Sequence, residues 1–360
     1  MGKVESGQSF EGVVQVENLY IHFPFCRRKC TYCALHSRAG TTQLERDEYV
    51  RTLAAALSSF PLASKLRTIY FGGGSPALCN LAPLLSELEK YLSPETEFTI
   101  ELHPLDVTPN LLQTLSRQGV NRISMGLQSL DDDILLAMGR GYTFSFAERA
   151  FSLIHKYFTN AGIDLIVGYP GETAALLPRH ARLANWGLTH CSVYSLILEP
   201  KSILAHLIKR GKSAAPPDDD TTLNRLAVVA KFLHELGLER YEISNYAREG
   251  FAAKHNLAVW RGEDYLGLGE GAYGRLGKFR TKNLGTTHAQ VEEVAANFDV
   301  KERTLFRLRT TDGLDATHHP EWHAALLDAA KQGFLTQKEN TFYLTSRGTE
   351  VCDWILSTLV

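Results

Sequence analysis

The sequence predicts an α/β protein: a partial or complete parallel β/α barrel followed by a smaller C-terminal α+β module. Three observations carry that expectation. Short runs of strand composition alternate strictly with longer runs of helical periodicity, each strand-like run ends in a polar or glycine-rich group, and the alternation stops near residue 300. Strict alternation implies parallel pairing, and in a parallel barrel the C-terminal strand ends share the face on which sites are built.

Six strand-like runs appear in order. "NLYIHF" (18–23) leads into three cysteines and "RTIYFGGG" (67–74) into a glycine triplet. "EFTIELHP" (97–104) carries Glu101 and His103, "RISMGLQS" (122–129) Gln128, "GIDLIVGYP" (162–170) Asp164 and Tyr169, and "CSVYSLILEP" (191–200) Tyr194 and Glu199. Between them, "LERDEYVRTLAAALSSF" and "LAPLLSELEKYL" space apolar residues three and four apart, as one helix face requires. Six such units favour a barrel over a two-half nucleotide-binding sheet.

The expected barrel core spans 1–200, with an extension over 201–299. In the extension, "RGKSAAPPDDDTT" reads as a surface loop feeding the helix "LNRLAVVAKFLHELG", capped by Asp220 or Thr221, and a later loop carries "HNLAVW". Residues 300–360 read as a winged-helix-like module: a helix near 321–332, a hairpin through "FLTQKENTFYLTS" and a closing helix to about 358. His318 and His319 are expected on its surface.

Composition narrows the function classes. The 360 residues carry a formal net charge of −2, and the last module has seven Lys or Arg against eight Asp or Glu, so neither offers a basic surface for nucleic acid. No window approaches the ~18 consecutive apolar residues of a membrane span, and "MGKVESGQSF" lacks the apolar core of a secretory signal. A cytoplasmic protein is expected. In that reducing compartment clustered cysteines bind metal rather than pair.

The metal candidates are Cys26, Cys30 and Cys33 of "CRRKCTYC", half of the six cysteines within eight positions. Three thiolates leave tetrahedral zinc one ligand short, so zinc requires His36 or His22 as the fourth. An iron–sulfur cluster is the alternative: three cysteines hold three irons and leave the fourth open to an exogenous ligand.

This C-x3-C-x2-C spacing after a strand, followed by "FGGGSP", resembles the radical S-adenosylmethionine (radical SAM) family. "LYIHFPFC", "NRISMGLQS", "IDLIVGYPGET", "LILEP", "YEISNYA" and "HNLAVW" are similar to the branch containing oxygen-independent coproporphyrinogen III oxidase and the heme chaperone HemW. The resemblance runs from Tyr20 to the closing helix. It implies a barrel of the radical SAM type, a [4Fe-4S] cluster on Cys26, Cys30 and Cys33, and SAM bound at the open iron and cleaved to methionine and a 5′-deoxyadenosyl radical. It further implies Tyr20 near the methionyl group, Gly72, Gly73 and Gly74 exposing backbone to the SAM amino group, and Glu101, Gln128, Arg140 and Asp164 in contact with SAM. The chemistry is apt, since carboxylates and an amide accept from ribose hydroxyls and a guanidinium forks onto a carboxylate.

Two places bear on the branch. Oxidases of this kind carry a further cysteine two positions beyond the third, where this chain has Leu35, and a longer N-terminal segment than the 19 residues before Tyr20. HemW proteins carry H-N-x-x-Y-W; here His255, Asn256 and Trp260 are kept and Val259 replaces the tyrosine. The resemblance therefore implies a chaperone that ligates heme through His255 and delivers it to an acceptor hemoprotein, with a membrane respiratory enzyme as one candidate acceptor. It is compatible with a cytoplasmic or membrane-peripheral location and with a homodimer. Coproporphyrinogen III oxidation, or another radical SAM reaction on tetrapyrroles, is the alternative.

Overall fold

The structure, a computed structural model, describes residues 2–5, 15–60, 62–173, 181–285 and 288–359. After a short strand β1 (Gly2–Glu5), six strands follow the expected order: β2 (Asn18–Phe23), β3 (Thr68–Gly73), β4 (Glu97–Leu102), β5 (Arg122–Gln128), β6 (Asn160–Val167) and β7 (His190–Ser195). Each pairs in parallel with the next. The connections include helices α1 (Gln43–Ala56), α2 (Ala82–Leu88), α3 (Pro109–Arg117), α4 (Asp132–Ala137) and α5 (Phe144–Ile154). Local chemistry starts them: Thr42 and Glu45 form a capping box on α1, and Thr108 caps α3 with Pro109 in its first turn.

Strand alternation sorts the side chains into two faces. Ile21, Phe23, Ile69, Phe71, Phe98 and Ile100 are fully buried in one core with Leu53, Leu84, Leu112 and Phe151 from the helices. The alternate residues, Tyr20, His22, Tyr70, Glu101, Ser124 and Asp164, share the other face, where they contact one another.

The sheet does not close. One edge gains β10 (Leu266–Leu268), parallel to β2; the other gains β8 (Glu239–Arg240) and β9 (Asn245–Ala247), antiparallel. The order β10-β2-β3-β4-β5-β6-β7-β9-β8 is a partial barrel. A second sheet, ordered β1-β13-β12-β11, contains β11 (Tyr273–Leu276), β12 (Phe279–Asn283) and β13 (His288–Glu293).

Helix boundaries differ from expectation in two places, each for a traceable reason. Helix Asp219–Glu235 is capped by Asp218, whose carboxylate accepts the Thr221 N–H at 2.7 Å, leaving Asp219 and Asp220 in the first turn, where the helix dipole favours them. The "HNLAVW" segment is not a loop but part of helix Lys254–Trp260. Its own cap residue, Ala253, offers no side-chain acceptor; Glu97 of β4 accepts the Lys254 and His255 N–H groups instead, at 3.0 and 3.1 Å.

The last module has its own core of Leu308, Trp322, Leu326, Phe342 and Ile355. It contains a small sheet of β14 (Leu314–Asp315), β16 (Thr341–Leu344) and β15 (Leu335–Lys338), in that order, with helices His323–Lys331, Ser346–Glu350 and Cys352–Ser357. His318 is exposed as expected, but His319 is buried, its ring stacked on Trp322 at 3.9 Å. Among the described residues no helix is long and apolar enough to cross a membrane.

Candidate functional site

The loop after β2 carries Cys26, Cys30 and Cys33, all half-buried, and is pinned from several sides. The Cys26 N–H donates to the Arg38 carbonyl at 2.9 Å, and the Arg27 guanidinium reaches the buried Asp106 carboxylate at 2.6 Å. The Thr31 N–H donates to the Met138 carbonyl at 3.0 Å while its hydroxyl meets the Tyr169 hydroxyl at 2.8 Å. Burial pushes the Cys26 thiol up to about 11 and raises that of Cys33, so their thiolates require a bound cation to displace the protons.

The donor set fits a multi-iron cluster better than zinc. Both imidazoles that would complete a zinc shell are committed: His22 lies 2.9 Å from the Tyr20 hydroxyl and 2.8 Å from the His36 carbonyl, and His36 lies 2.7 Å from the Glu270 carboxylate. Among the described residues no three His, Cys, Asp or Glu side chains converge on one metal ion. A cluster asks only for one sulfur per iron.

The glycines at the end of β3 are required by close packing. A Cβ on Gly74 would stand 2.4 Å from the Phe25 carbonyl oxygen and 2.9 Å from Cys26 Sγ, and one on Gly73, at φ +106°, would stand 2.6 Å from the His22 ring. The glycine turn thus lies directly against the cysteine loop. Its N–H groups serve the protein: Gly73 donates to Glu101 at 3.0 Å and Gly74 to the Phe23 carbonyl at 2.7 Å. Glu101 also accepts from the Tyr70 hydroxyl at 2.8 Å; burial, and then nearby Asp164, push its carboxyl up to about 7. Asp164 accepts from the Ser124 hydroxyl at 3.0 Å and is likewise raised by burial.

Gln128 sits at φ +71°, where the β5–β6 register shifts between Gly126 and Gln128. Such a bulge re-aims a side chain at a strand end. The position a Cβ would take on Gly126 is 2.7 Å from Gln128 Nε2 and 3.3 Å from Arg140 Nη2, so the amide and the guanidinium lie side by side. Arg140 is buried; it donates to the Gly126 carbonyl at 2.7 Å, the Tyr142 hydroxyl at 3.0 Å and Cys30 Sγ at 3.3 Å. Three of its five N–H donors are used there, leaving two for a ligand. Gln128, Arg140 and Cys30 are therefore contiguous, as are Gly73, Glu101 and Tyr70.

His255 is not among them. It contacts the starts of the strands: its Nδ1 is 2.8 Å from the hydroxyl of Thr68, the first residue of β3, and its ring lies 5.2 Å from Tyr70 and 6.2 Å from Tyr20. Burial pulls its pKa down to about 3, so the imidazole is neutral. It lines a cavity of about 890 Å³ that runs from Ala34, Leu35 and His36, just past the last cysteine, to His255, Asn256 and Val259, with Tyr20, Tyr70 and Tyr194 also in its wall. That volume is within the ~300–1,000 Å³ range of cofactor sites. Trp260 is absent from the wall; its indole packs edge-on to Phe306 at 6.0 Å, beneath Arg309. Asn18, Thr68, Glu97 and Asp106, which fix these groups, gave no sequence signal, because a single polar residue at a strand or turn start is ordinary.

Residues 20–184 match the family model of the Radical SAM superfamily. Heme chaperone HemW of Bacillus subtilis (strain 168) is 31% identical over 369 residues, covering 92% of this chain and 96% of that protein. The chain belongs to the HemW family. Within that family, heme chaperone HemW of Synechocystis is 35% identical, covering 73% of this chain and 68% of that one. The mouse mitochondrial radical S-adenosyl methionine domain-containing protein 1 is 31% identical, covering 80% and 67%. In fold, this HemW-family chain is similar to coproporphyrinogen III oxidase (HemN) from Escherichia coli, with a TM-score of 0.81 over 96% of this chain and 90% of that one. At 20% identity the likeness speaks for the fold alone.

Proposed function

We propose that this protein is a cytoplasmic heme chaperone that holds a [4Fe-4S] cluster on Cys26, Cys30 and Cys33, binds SAM beside it, and delivers heme to an acceptor hemoprotein. The observation that carries the reading is the cavity that joins the cysteine loop to His255. Its supports are the names of the relatives, the three thiols on one pinned loop, and a neutral imidazole in the cavity wall. When bound, the cluster supplies an open iron for the amino and carboxylate groups of SAM and an electron source beside it.

The protein's own groups do the rest. Arg140 directs its two remaining N–H donors at a carboxylate, while Gln128, Glu101 and Asp164 offer acceptors and donors to ribose hydroxyls. Tyr20 and the glycine turn form the adjoining wall. Glu101, with its carboxyl near 7, accommodates a proton at neutral pH, so the pair with Asp164 need not carry two charges. Around the cavity, Tyr70 and Tyr194 offer aromatic surface to a macrocycle, and His255 offers a neutral nitrogen to its iron. Leu35, where the oxidase resemblance calls for a cysteine, contributes an apolar wall.

The test combines three titrations on anaerobically reconstituted protein. Heme is expected to bind one to one and to transfer to an apo-hemoprotein, with a changed axial spectrum in His255→Ala. SAM binding by calorimetry is expected to weaken by about 1.5–3 kcal/mol in Arg140→Ala. Coproporphyrinogen with SAM and reductant is expected to yield no decarboxylated product; decarboxylation without heme binding would replace this reading with the oxidase.

A further inference from the structure

We propose that Asn18 and Thr68 are positioning residues that fix His255 in its Nδ1–H tautomer and so present the Nε2 lone pair to the metal of a macrocycle in the cavity. The ligand class rests on the heme reading above; the tautomer assignment stands on hydrogen bonds alone. Which imidazole nitrogen is free for a metal is decided by the bond the other one makes.

The chain of donors begins at Asn18. Its amide Nδ2 donates to the Asp264 carbonyl at 3.0 Å, and its Oδ1 accepts from Arg67 Nη2 at 3.3 Å. A carbonyl acceptor on one side and a guanidinium donor on the other fix which way the amide points. Oδ1 therefore faces the Thr68 hydroxyl, 2.9 Å away. Oδ1 has no proton to give, so Thr68 must donate to it. A threonine hydroxyl has one hydrogen, and that hydrogen is now spent. The remaining contact of the hydroxyl is His255 Nδ1 at 2.8 Å, so here Thr68 accepts and Nδ1 carries the proton.

The neutral ring then bears its lone pair on Nε2. Among the described residues Nε2 has no hydrogen-bond partner, and His255 lines the cavity. Two features hold the ring against reorientation: Glu97 anchors the start of its helix, and the rings of Tyr20 and Tyr70 pack beside it.

The test reads the tautomer first without heme, from long-range proton–nitrogen correlations of the imidazoles, with His255 assigned by the signal lost in His255→Gln. Wild type and Thr68→Ser are expected to show a protonated Nδ1. Thr68→Val keeps the β-branched shape that suits a strand, removes the acceptor, and is expected to move the proton to Nε2; Thr68→Ala serves if the valine variant does not fold. In heme-loaded protein, Thr68→Val is expected to release heme about ten-fold faster, with a shifted absorption spectrum that Thr68→Ser restores. A protonated Nδ1 retained in both Thr68→Val and Thr68→Ala, or lost in Thr68→Ser, overturns the proposal. So does a valine variant with the shifted tautomer but unchanged heme release. If wild type shows the Nδ1–H pattern yet ignores heme, the relay stands and the heme reading falls.

Discussion

The two ends of the barrel are built in different ways. At the C-terminal strand ends, the groups proposed to hold the cluster and SAM come from short contiguous stretches: three cysteines on one loop, three glycines on one turn, and Gln128 at a bulge twelve positions before Arg140. At the N-terminal ends, His255 bonds Thr68 and Glu97, the first residues of β3 and β4, Thr68 in turn bonds Asn18, the first residue of β2, and the nearer of the two His255 contacts spans 158 positions. The first end is a set of local motifs that the barrel gathers. The second exists only as tertiary structure, and its polar residues are buried and bonded to one another, His255 Nε2 excepted.

If the ends are this distinct, they should break separately. The largest expected effect is at the cysteine loop. Cys26→Ala, Cys30→Ala or Cys33→Ala should abolish a stable four-iron cluster, whereas Cys79→Ala, Cys191→Ala and Cys352→Ala, whose thiols are buried elsewhere, should retain it. Iron and sulfide analysis after anaerobic reconstitution reads the result; a full cluster in Cys30→Ala would sink the assignment.

Next in size is the opposite end. Glu97→Ala strips the acceptor from two N–H groups of helix Lys254–Trp260 and removes the carboxylate that favours the charge of buried Arg122. A loss of about 3–5 kcal/mol is expected in denaturant titrations, with iron content after reconstitution unchanged. Iron loss in proportion to stability loss would show that the two ends are one cooperative unit.

Glu101, between them, sets a pH dependence. Its folded carboxyl titrates near 7, above the ordinary 4.5, because burial and Asp164 favour the protonated form. The folded state thus holds the proton more tightly than the unfolded chain. Its contribution is fully present below about pH 4.5 and is lost as pH rises through about 7, a change of about 3 kcal/mol. Raised Asp164 acts in the same direction. Glu101→Gln cannot titrate, so its stability curve should be flatter across this window; a slope identical to wild type would rule Glu101 out as the cause.

Much of the first end was legible in the sequence and little of the second. The six strands, their order and which polar residues stand near their ends could be read because alternation and motif are local properties. The strand added at the β2 edge could not: β10 is three residues, and only its pairing with β2 marks it as part of the sheet. Helix Lys254–Trp260 looked like a loop because its cap belongs to β4. His319 looked exposed because its cover, Trp322, acts through stacking that no pattern announces. Even within the "HNLAVW" segment the sequence misdirects, since the retained Trp260 faces the C-terminal module while the altered Val259 faces the cavity.

That last contrast yields the smallest and sharpest prediction. His255 and Val259 are four apart on one helix and both line the cavity, so a tyrosine at 259 would lay its ring beside the imidazole and along a bound macrocycle. Val259→Tyr should slow heme release by an amount worth about 0.5–1.5 kcal/mol, the range of an added aromatic contact. Trp260→Phe, by contrast, should alter packing against Phe306 and Arg309 and lower stability while leaving heme release as in wild type. Stopped-flow transfer to an apo-hemoprotein measures release, and denaturant titration measures stability. If Trp260→Phe accelerates release while Val259→Tyr is silent, the macrocycle binds on the Trp260 side of the helix, and the cavity bounded by His255 is not its site.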